Sequence, residues 1–229
     1  MPSSGEQRAA LVTGGSSGIG LAIARALAEE GFALTLVSRT KEKVEAAAAK
    51  VGAHAIAADL SSPDGCAPVV PGHLERWGRL DVLVNSAGVG IGGNVDDLEI
   101  KHAGLQIAVN LGATFIVTQA AIPHLRETRG LIVNIASIAG TIPTPGLAMY
   151  GATKAAVIAL TRSLNDELEE DGVRATAISP GFVDTAMSAW SGIPSDEMIQ
   201  PEDCAEIVRT LLRLSPRARI PNVVIERLR

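Results

Sequence analysis

The sequence predicts an α/β protein in which a doubly wound, seven-stranded parallel sheet carries helices on both faces. Three observations predict it. Seven short β-branched runs alternate with helical patterns along the chain. Most of those runs are apolar at every position, which suits strands covered on both faces. The first run passes directly into a glycine-rich turn that opens a helix, Thr13-Gly14-Gly15-Ser16-Ser17-Gly18-Ile19-Gly20. Strand–helix alternation with right-handed crossovers closes into a parallel sheet with both faces covered.

In order, the strands are expected at 9–13, 33–38, 53–58, 82–85, 131–136, 173–179 and 223–226. The helices between them are expected at 19–30, 41–50, 64–77, 95–127, 148–171 and 201–214. Gly31 and Gly172 directly follow the first and fifth helices, where a left-handed cap belongs. The third helix is irregular: Pro68 and Pro71 stand where it should start, and proline is tolerated only in a first turn. It is therefore expected to begin late, near Gly72. The chain shows no internal repeat, linker or low-complexity segment, so residues 1–229 are expected to form one domain holding both cofactor and substrate.

Composition narrows the function classes. The chain is 47% apolar and 3% aromatic, so its core must be built from Ala, Val, Leu and Ile. A formal charge of −5 argues against nucleic acid, for which a basic stripe would be expected. Cys66 and Cys204 are too few for a disulfide framework or a metal site and read as two reduced thiols. His54, His73, His102 and His124 are widely spaced and read as structural or surface residues, so no metal is expected. No apolar run approaches the ~18–20 residues a membrane helix needs. The N-terminal octet 1–8 lacks the apolar stretch of a signal peptide. A cytoplasmic protein that engages no membrane is expected.

The glycine turn has a specific use. Its glycines allow a tight turn, close approach of backbone to a pyrophosphate, and packing of helix on strand, as in the Rossmann dinucleotide fold. The helix N-terminus offers free N–H groups and a positive dipole end to phosphates. Gly14, Ser16, Ser17, Gly18, Ile19 and Gly20 are accordingly expected to hold a dinucleotide. The end of the second strand, about twenty residues on, reads the adenosine ribose. There Ser38 is neutral and Arg39 cationic, which suits the 2′-phosphate of NADP(H) over the 2′-hydroxyl of NAD(H). A basic residue in place of Ser17 would have added a second phosphate contact.

The second half of the site lies downstream. Tyr150, the chain's one tyrosine, stands four residues before Lys154, so the two share a helix face. Ser137 lies upstream of both. A phenol with an ordinary pKa of ~10 is a poor base at neutral pH, and a neighbouring ammonium together with the cationic oxidised nicotinamide is expected to lower it. Ser137 and Tyr150 would form a two-donor oxyanion site for a carbonyl oxygen.

These motifs together resemble the short-chain dehydrogenases/reductases over essentially the whole chain. The family's Thr-Gly-x-x-x-Gly-x-Gly is matched by Thr13, Gly14, Gly18 and Gly20. Its Asn-Asn-Ala-Gly appears as Asn85-Ser86-Ala87-Gly88, with Ser86 the departure. Its helix asparagine resembles Asn110, its serine Ser137, and its Tyr-x-x-x-Lys Tyr150 and Lys154. Its Pro-Gly with a later threonine is matched by Pro180, Gly181 and Thr185, with Val183 between them, and its acidic adenine contact by Asp59-Leu60. The resemblance implies that Asn85, Ala87, Gly88, Asp59, Leu60, Pro180, Gly181, Val183 and Thr185 join the cofactor site. It also implies that Lys154 holds the nicotinamide ribose, that Asn110 relays water towards the lysine, and that two long helices pair between subunits of a homodimer or homotetramer. The segment 223–229 lacks the Gly-Gly-containing tail of many members, so no tail-dependent assembly is carried over.

The substrate should meet 89–94, 138–149 and 182–198. The second stretch is uncharged and apolar, and the third carries no basic residue, which favours an apolar or neutral carbonyl over a free carboxylate. Met187 and Trp190, with Ser137, are the expected substrate contacts. The Gly- and Ser-interrupted segment around Ser191-Gly192 reads as a loop that closes over the site. The reading is an NADP(H)-dependent oxidoreductase interconverting a carbonyl and an alcohol, with Tyr150 as general acid and base. A 3-oxoacyl-carrier-protein reductase, with a basic patch near Arg126 and Arg129, is a narrower version. A catalytically silent NADP-binding regulator stands as the alternative.

Overall fold

The computed structural model describes residues 7–228. Met1–Glu6, on which most of the N-terminal reading rests, and Arg229 of the C-terminal tail lie outside the described residues.

The strands are β1 Ala9–Thr13, β2 Ala33–Ser38, β3 His54–Ala57, β4 Val82–Asn85, β5 Leu131–Ile135, β6 Arg174–Pro180 and β7 Asn222–Ile225. All pair in parallel in one sheet of order β3-β2-β1-β4-β5-β6-β7. Successive side chains of a strand point to opposite faces, and here both faces are buried. Ala10, Val12, Leu34, Leu36, Val82 and Val84 pack on one side, under the helices α1 Gly18–Glu29, α2 Lys41–Val51 and α8 Pro201–Arg213. Leu11, Val37, Leu83 and Ile132 pack on the other, under α4 Val69–Trp77, α6 Thr114–Thr128 and α7 Ala148–Glu167. That two-sided burial is why the strands read as continuous apolar runs rather than alternating ones. Gly31, directly after the C-cap Glu30 of α1, has φ 81° as the sequence leads one to expect; Gly172 has φ 72° but does not cap α7, which ends at Glu167 with Leu168 as its C-cap rather than at 171.

The strand order reverses between β1 and β4. In open α/β sheets the crevice outside the carboxyl ends at such a point is where ligands bind. The α1 helix that borders it is tied to α8 by Arg209, which pairs with Glu29, with Glu30 at 3.0 Å and with Glu206 at 2.8 Å.

Three further expectations need correction. The third helical region does not wait for Gly72. A short turn, α3 Pro63–Cys66, comes first, and α4 then starts at Val69 with Pro68 as its N-cap. Pro71 falls at the third helical position, where its missing N–H would have had no partner in any case. The long helix does not begin at 95 either. It opens as α5 Ile100–Gln106, widens to a π-helical stretch at Ile107–Ala113, and returns to regular geometry in α6. Finally, the helical run Ile100–Thr128 is long and apolar enough to cross a membrane by length and mean hydropathy, 1.5. It lies on the sheet instead, burying Val117, Ala121 and Leu125 together with Gln106, Asn110, Thr114 and Thr118.

Candidate active site

The crevice is built first from backbone. Gly14 has φ 67°, and a Cβ there would lie 2.7 Å from the Ala87 nitrogen. A Cβ on Gly20 would lie 2.9 Å from the Gly14 carbonyl carbon and closer still to its oxygen. The loops after β1 and β4 thus touch main chain to main chain. Thr13 Oγ1 fastens them by accepting from the N–H groups of Ser86 and Ala87, both at 3.2 Å. Ser17, the extended N-cap of α1, makes no side-chain cap, which leaves the first-turn N–H groups for a ligand.

Around this cradle lie two adjoining cavities that share Gly14, Ser16, Ser17, Ala87 and Gly88. The first, of about 230 Å³, continues along Gly18, Ile19 and Gly20 to Tyr150, Lys154, Pro180, Gly181, Val183 and Thr185. The second, of about 310 Å³, runs the other way to Ser38, Arg39, Asp59 and Leu60. An elongated cleft floored by glycine backbone fits a dinucleotide. At its far end Ser38 Oγ is buried with no partner among the described residues, and Arg39 lines the same cavity. Lys43, one turn into α2, lines the same cavity. The sequence reading missed it, and a lysine three residues past Thr40, the N-cap of α2, was the available signal. Hydrogen bonds from Ser61 hold the Asp59 carboxyl below its ordinary range, with Arg39 adding to the effect.

Asn85 is the expected cofactor residue that the structure turns away from the cleft. Its amide donates at 2.9 Å to Thr118 on α6 and at 2.9 Å to Asn134, its register partner on β5. Asn134 passes the chain on to Thr161 of α7 at 2.9 Å. This buried polar ribbon fixes β4 and thereby the position of Ala87 and Gly88.

At the other end, β5 delivers Ser137 as the extended N-cap of a one-turn 3₁₀ helix, its hydroxyl accepting from Ala139 N–H at 3.2 Å. Helix α7 places Tyr150 and Lys154 one turn apart, with the ammonium 5.7 Å from the phenol ring centroid. Lys154 is buried and donates to the Ile135 carbonyl at 2.7 Å. Among the described residues it pairs with no carboxylate. Burial brings its pKa down to about 8. The protein's own groups do not lower the phenol's pKa: burial raises it, and the Ser137 hydroxyl, hydrogen-bonded to it, pulls the other way. Taking the phenolate out of water outweighs the influence of a nearby ammonium that is itself desolvated.

Asn110 sits inside the π-helical stretch, a distortion that often marks functional positions. Its side chain accepts from Val89 N–H at 2.8 Å and donates to Val89 O at 3.0 Å and to Thr153 Oγ1 at 3.0 Å. A Cβ on Gly88 would stand 3.3 Å from Asn110 Oδ1 and 3.5 Å from Lys154 Nζ, so both groups converge there. Gln106, four residues earlier, grips the same loop: its Oε1 accepts from Ile91 N–H at 3.2 Å while Nε2 has no partner among the described residues. The sequence reading missed Gln106 as well. A glutamine four residues before Asn110, and so on the same helix face, was the available signal.

The loop 184–198, the expected lid over the expected substrate side, leaves and rejoins the fold at one point. Val183 bridges Ile199, Asp184 N–H donates to Ile199 O at 2.9 Å and Ile199 N–H to Phe182 O at 3.0 Å. Met187 and Trp190 both line a second pocket against Tyr150. Arg126 and Arg129 do not border this site. They close α6 just before β5 starts, at the amino end of the strands and opposite the cleft, and Arg126 is paired with Asp171 at 2.7 Å. Among the described residues no three His, Cys, Asp or Glu side chains converge on one point. Cys66 and Cys204 are buried free thiols. His73 is buried between Thr35 Oγ1 and the Arg79 carbonyl, both at 2.9 Å, with its pKa lowered by burial to about 4.

A family model described as short chain dehydrogenase matches residues 8–192. A relative from Staphylococcus epidermidis, called an uncharacterized oxidoreductase, is 34% identical over 223 residues, covering 96% of this chain and 97% of that one. An alcohol dehydrogenase from Thermococcus sibiricus, solved with 5-hydroxy-NADP, superposes with a TM-score of 0.89 at 32% identity over 96% of each chain. A 3-ketoacyl-(acyl-carrier-protein) reductase from Brucella melitensis, solved with NADH, superposes with a TM-score of 0.88 at 29% identity, again over 96% of each chain.

Proposed function

The chain belongs to the short chain dehydrogenase family and is an oxidoreductase, and from that premise we propose that it interconverts a carbonyl and an alcohol with NADP(H). The observation that carries this is Tyr150, which lines both the dinucleotide cleft and the lid pocket, with Lys154 beside it in the cleft and the Ser137 hydroxyl hydrogen-bonded to its phenol.

When bound, the nicotinamide supplies the hydride that reduces the carbonyl carbon and takes it back in the reverse direction. The chain's residues handle the oxygen and the proton. Tyr150 gives its hydroxyl proton to the forming alkoxide, and Ser137 holds both the phenol and the substrate oxygen in line. A phenol whose pKa burial has raised keeps that proton at neutral pH, the state that carbonyl reduction requires. Lys154, a buried cation anchored on Ile135 O, stabilises the phenolate left behind and reaches towards Gly88, where the ribose would lie. Asn110 keeps Val89, and with it Gly88, in place.

For the cofactor, the unpartnered Ser38 hydroxyl with Arg39 and Lys43 supports NADP(H) over NAD(H). A cationic, hydroxyl-lined end suits a 2′-phosphate and offers a lone ribose hydroxyl no carboxylate partner on β2. The Thermococcus neighbour, solved with an NADP derivative, agrees with this, while the Brucella neighbour, solved with NADH, does not. That second neighbour also motivates a 3-oxoacyl-carrier-protein reductase reading. Arg126 and Arg129, at the amino end of the strands and away from this chain's cleft, add no support to it. Ile100, Ile107 and Phe115 are 87%, 47% and 49% exposed along one helical run. We assign that apolar face to a two-fold dimer.

Tyr150→Phe tests the assignment. It should abolish NADPH-dependent carbonyl reduction while NADPH affinity stays within about twofold, because the hydroxyl serves only the chemical step. Turnover retained in that variant would remove Tyr150 from the mechanism.

A further inference from the structure

Past Tyr150 the cleft opens into a cavity of about 100 Å³. Leu147 walls one side and Phe182 and Trp190 the other, the two rings edge to face with centroids 6.0 Å apart. Among the described residues no Lys, Arg, His, Asp or Glu lines it. Its polar groups are the hydroxyls of Tyr150, Ser188 and Thr144, the last turned to the Ile142 carbonyl. An apolar cavity of about 150 Å³ takes up a benzene ring, so this one is sized for something smaller. A carboxylate inside it would lose its water without gaining a cation.

Met187 sets the limit. Its sulfur lies 3.3 Å from where a Gly90 Cβ would stand, and Tyr150 Cε2 lies 3.7 Å from the same point. Met187 also lines both this cavity and the dinucleotide cleft, so its side chain partitions the two. Resting on the redox reading of Tyr150, we propose that the site takes small uncharged ketones or aldehydes and their alcohols, one short apolar substituent seating against Leu147, Phe182 and Trp190, and that Met187 excludes aryl groups.

The chain carries its own reporter. It has two tryptophans. Trp190 forms the cavity wall, and Trp77 on α4 donates its indole N–H to Thr35 at 3.1 Å, away from the site. The indole N–H resonances of the ¹⁵N-labelled full chain, with and without NADP⁺, are titrated with 2-pentanone, with 4-oxopentanoate as its charged counterpart, and with acetophenone. Trp190→Phe assigns the peaks. The expected result is a saturable shift of Trp190, not Trp77, by 2-pentanone, with 4-oxopentanoate weaker by about 100-fold or more. Acetophenone should bind poorly and gain about tenfold or more in Met187→Ala. Equal response to 4-oxopentanoate, no Trp190 shift with any ketone, or an unchanged acetophenone affinity in Met187→Ala would overturn the proposal. A Trp190 shift without any NADPH oxidation supports the cavity assignment and overturns the redox reading instead. NADPH oxidation by 4-oxopentanoate at the rate seen with 2-pentanone overturns the substrate class and leaves the redox reading in place.

Discussion

Lys154→Met separates what the ammonium does for the reaction from what it costs the fold. Burial takes its pKa from 10.5 to about 8, which corresponds to about 3 kcal/mol by which folding disfavours the charged form below pH 8. Methionine has similar volume and no charge, but it leaves the Ile135 carbonyl, now 2.7 Å from the ammonium, without a donor, at about 1–2 kcal/mol. The variant should therefore be inactive yet more stable than the parent by about 1–2 kcal/mol at pH 7. Because the folded pKa is the lower one, the unfolded chain holds more protons between pH 8 and 10.5. Parent stability accordingly rises there, relative to the variant, by up to about 1.4 kcal/mol per pH unit. Tyr150, Cys66 and Cys204 have raised pKa values and slope the other way at higher pH. The two thiols do so equally in both proteins, and Tyr150, whose phenolate Lys154 stabilises, titrates only near its ordinary ~10 and above, so the difference between the two curves from pH 7 to 9 isolates Lys154. Urea unfolding of both at pH 7, 8, 9 and 10 provides the measurement. A variant no more stable than the parent at pH 7, with parallel pH curves, would refute the view of Lys154 as a desolvated cation.

The other expectations follow from single contacts. Ser38→Asp puts a carboxylate beside Arg39 and Lys43 and should move the NADPH/NADH ratio of kcat/KM towards NADH by about tenfold or more; an unmoved ratio would show that discrimination lies elsewhere. Gly20→Ala drives a Cβ into the Gly14 carbonyl and should cost about 1–3 kcal/mol of nucleotide affinity. Its control, Gly31→Ala, has φ 81° but nothing within 4 Å, so it should cost about 1 kcal/mol of stability and leave nucleotide affinity alone. Equal dissociation constants in the two would count against the backbone cradle. Gln106→Leu frees the Ile91 N–H and should raise KM several-fold at constant kcat and NADPH affinity, since the loop it holds lies on the substrate side. A fall in stability with no change in KM would make Gln106 an ordinary core residue.

Most of the sheet was legible because two-sided burial writes itself into consecutive apolar residues such as 9–12 and 131–133. The glycine cradle was legible for a different reason: Gly14 and Gly20 occupy positions where any Cβ meets backbone, so residue type and geometry are locked together. The misreadings share a cause too. Whether Pro71 delays a helix depends on whether it lands on an N–H that would be bonded, and a shift of one turn at Val69 decides that. A π-helical stretch has no residue signature of its own, so the placement of Asn110 within 107–113 could not be read from spacing. Lys43 and Gln106 became site residues only through folding, one by the approach of α2 to the β1 loop, the other by reaching a loop fifteen residues away. The phenol's raised pKa was not legible because sequence shows its neighbour Lys154 but not the loss of water around both.

The joint at Val183 and Ile199 makes the lid a replaceable part. Both ends of 184–198 are pinned to one another before the chain enters α8, so changes in between do not pull on β6 or on the helix that braces α1. Lengthening such a loop raises its closure cost by only about 0.6 kcal/mol per doubling. Met187 and Trp190, which shape the substrate side, ride on this segment, while Ser137, Tyr150, Lys154 and the glycine cradle stand on rigid elements outside it. On the proposed assignment, substrate scope and redox machinery are thereby inherited separately: a new lid could be exchanged for the old one without retuning the chemistry beneath it.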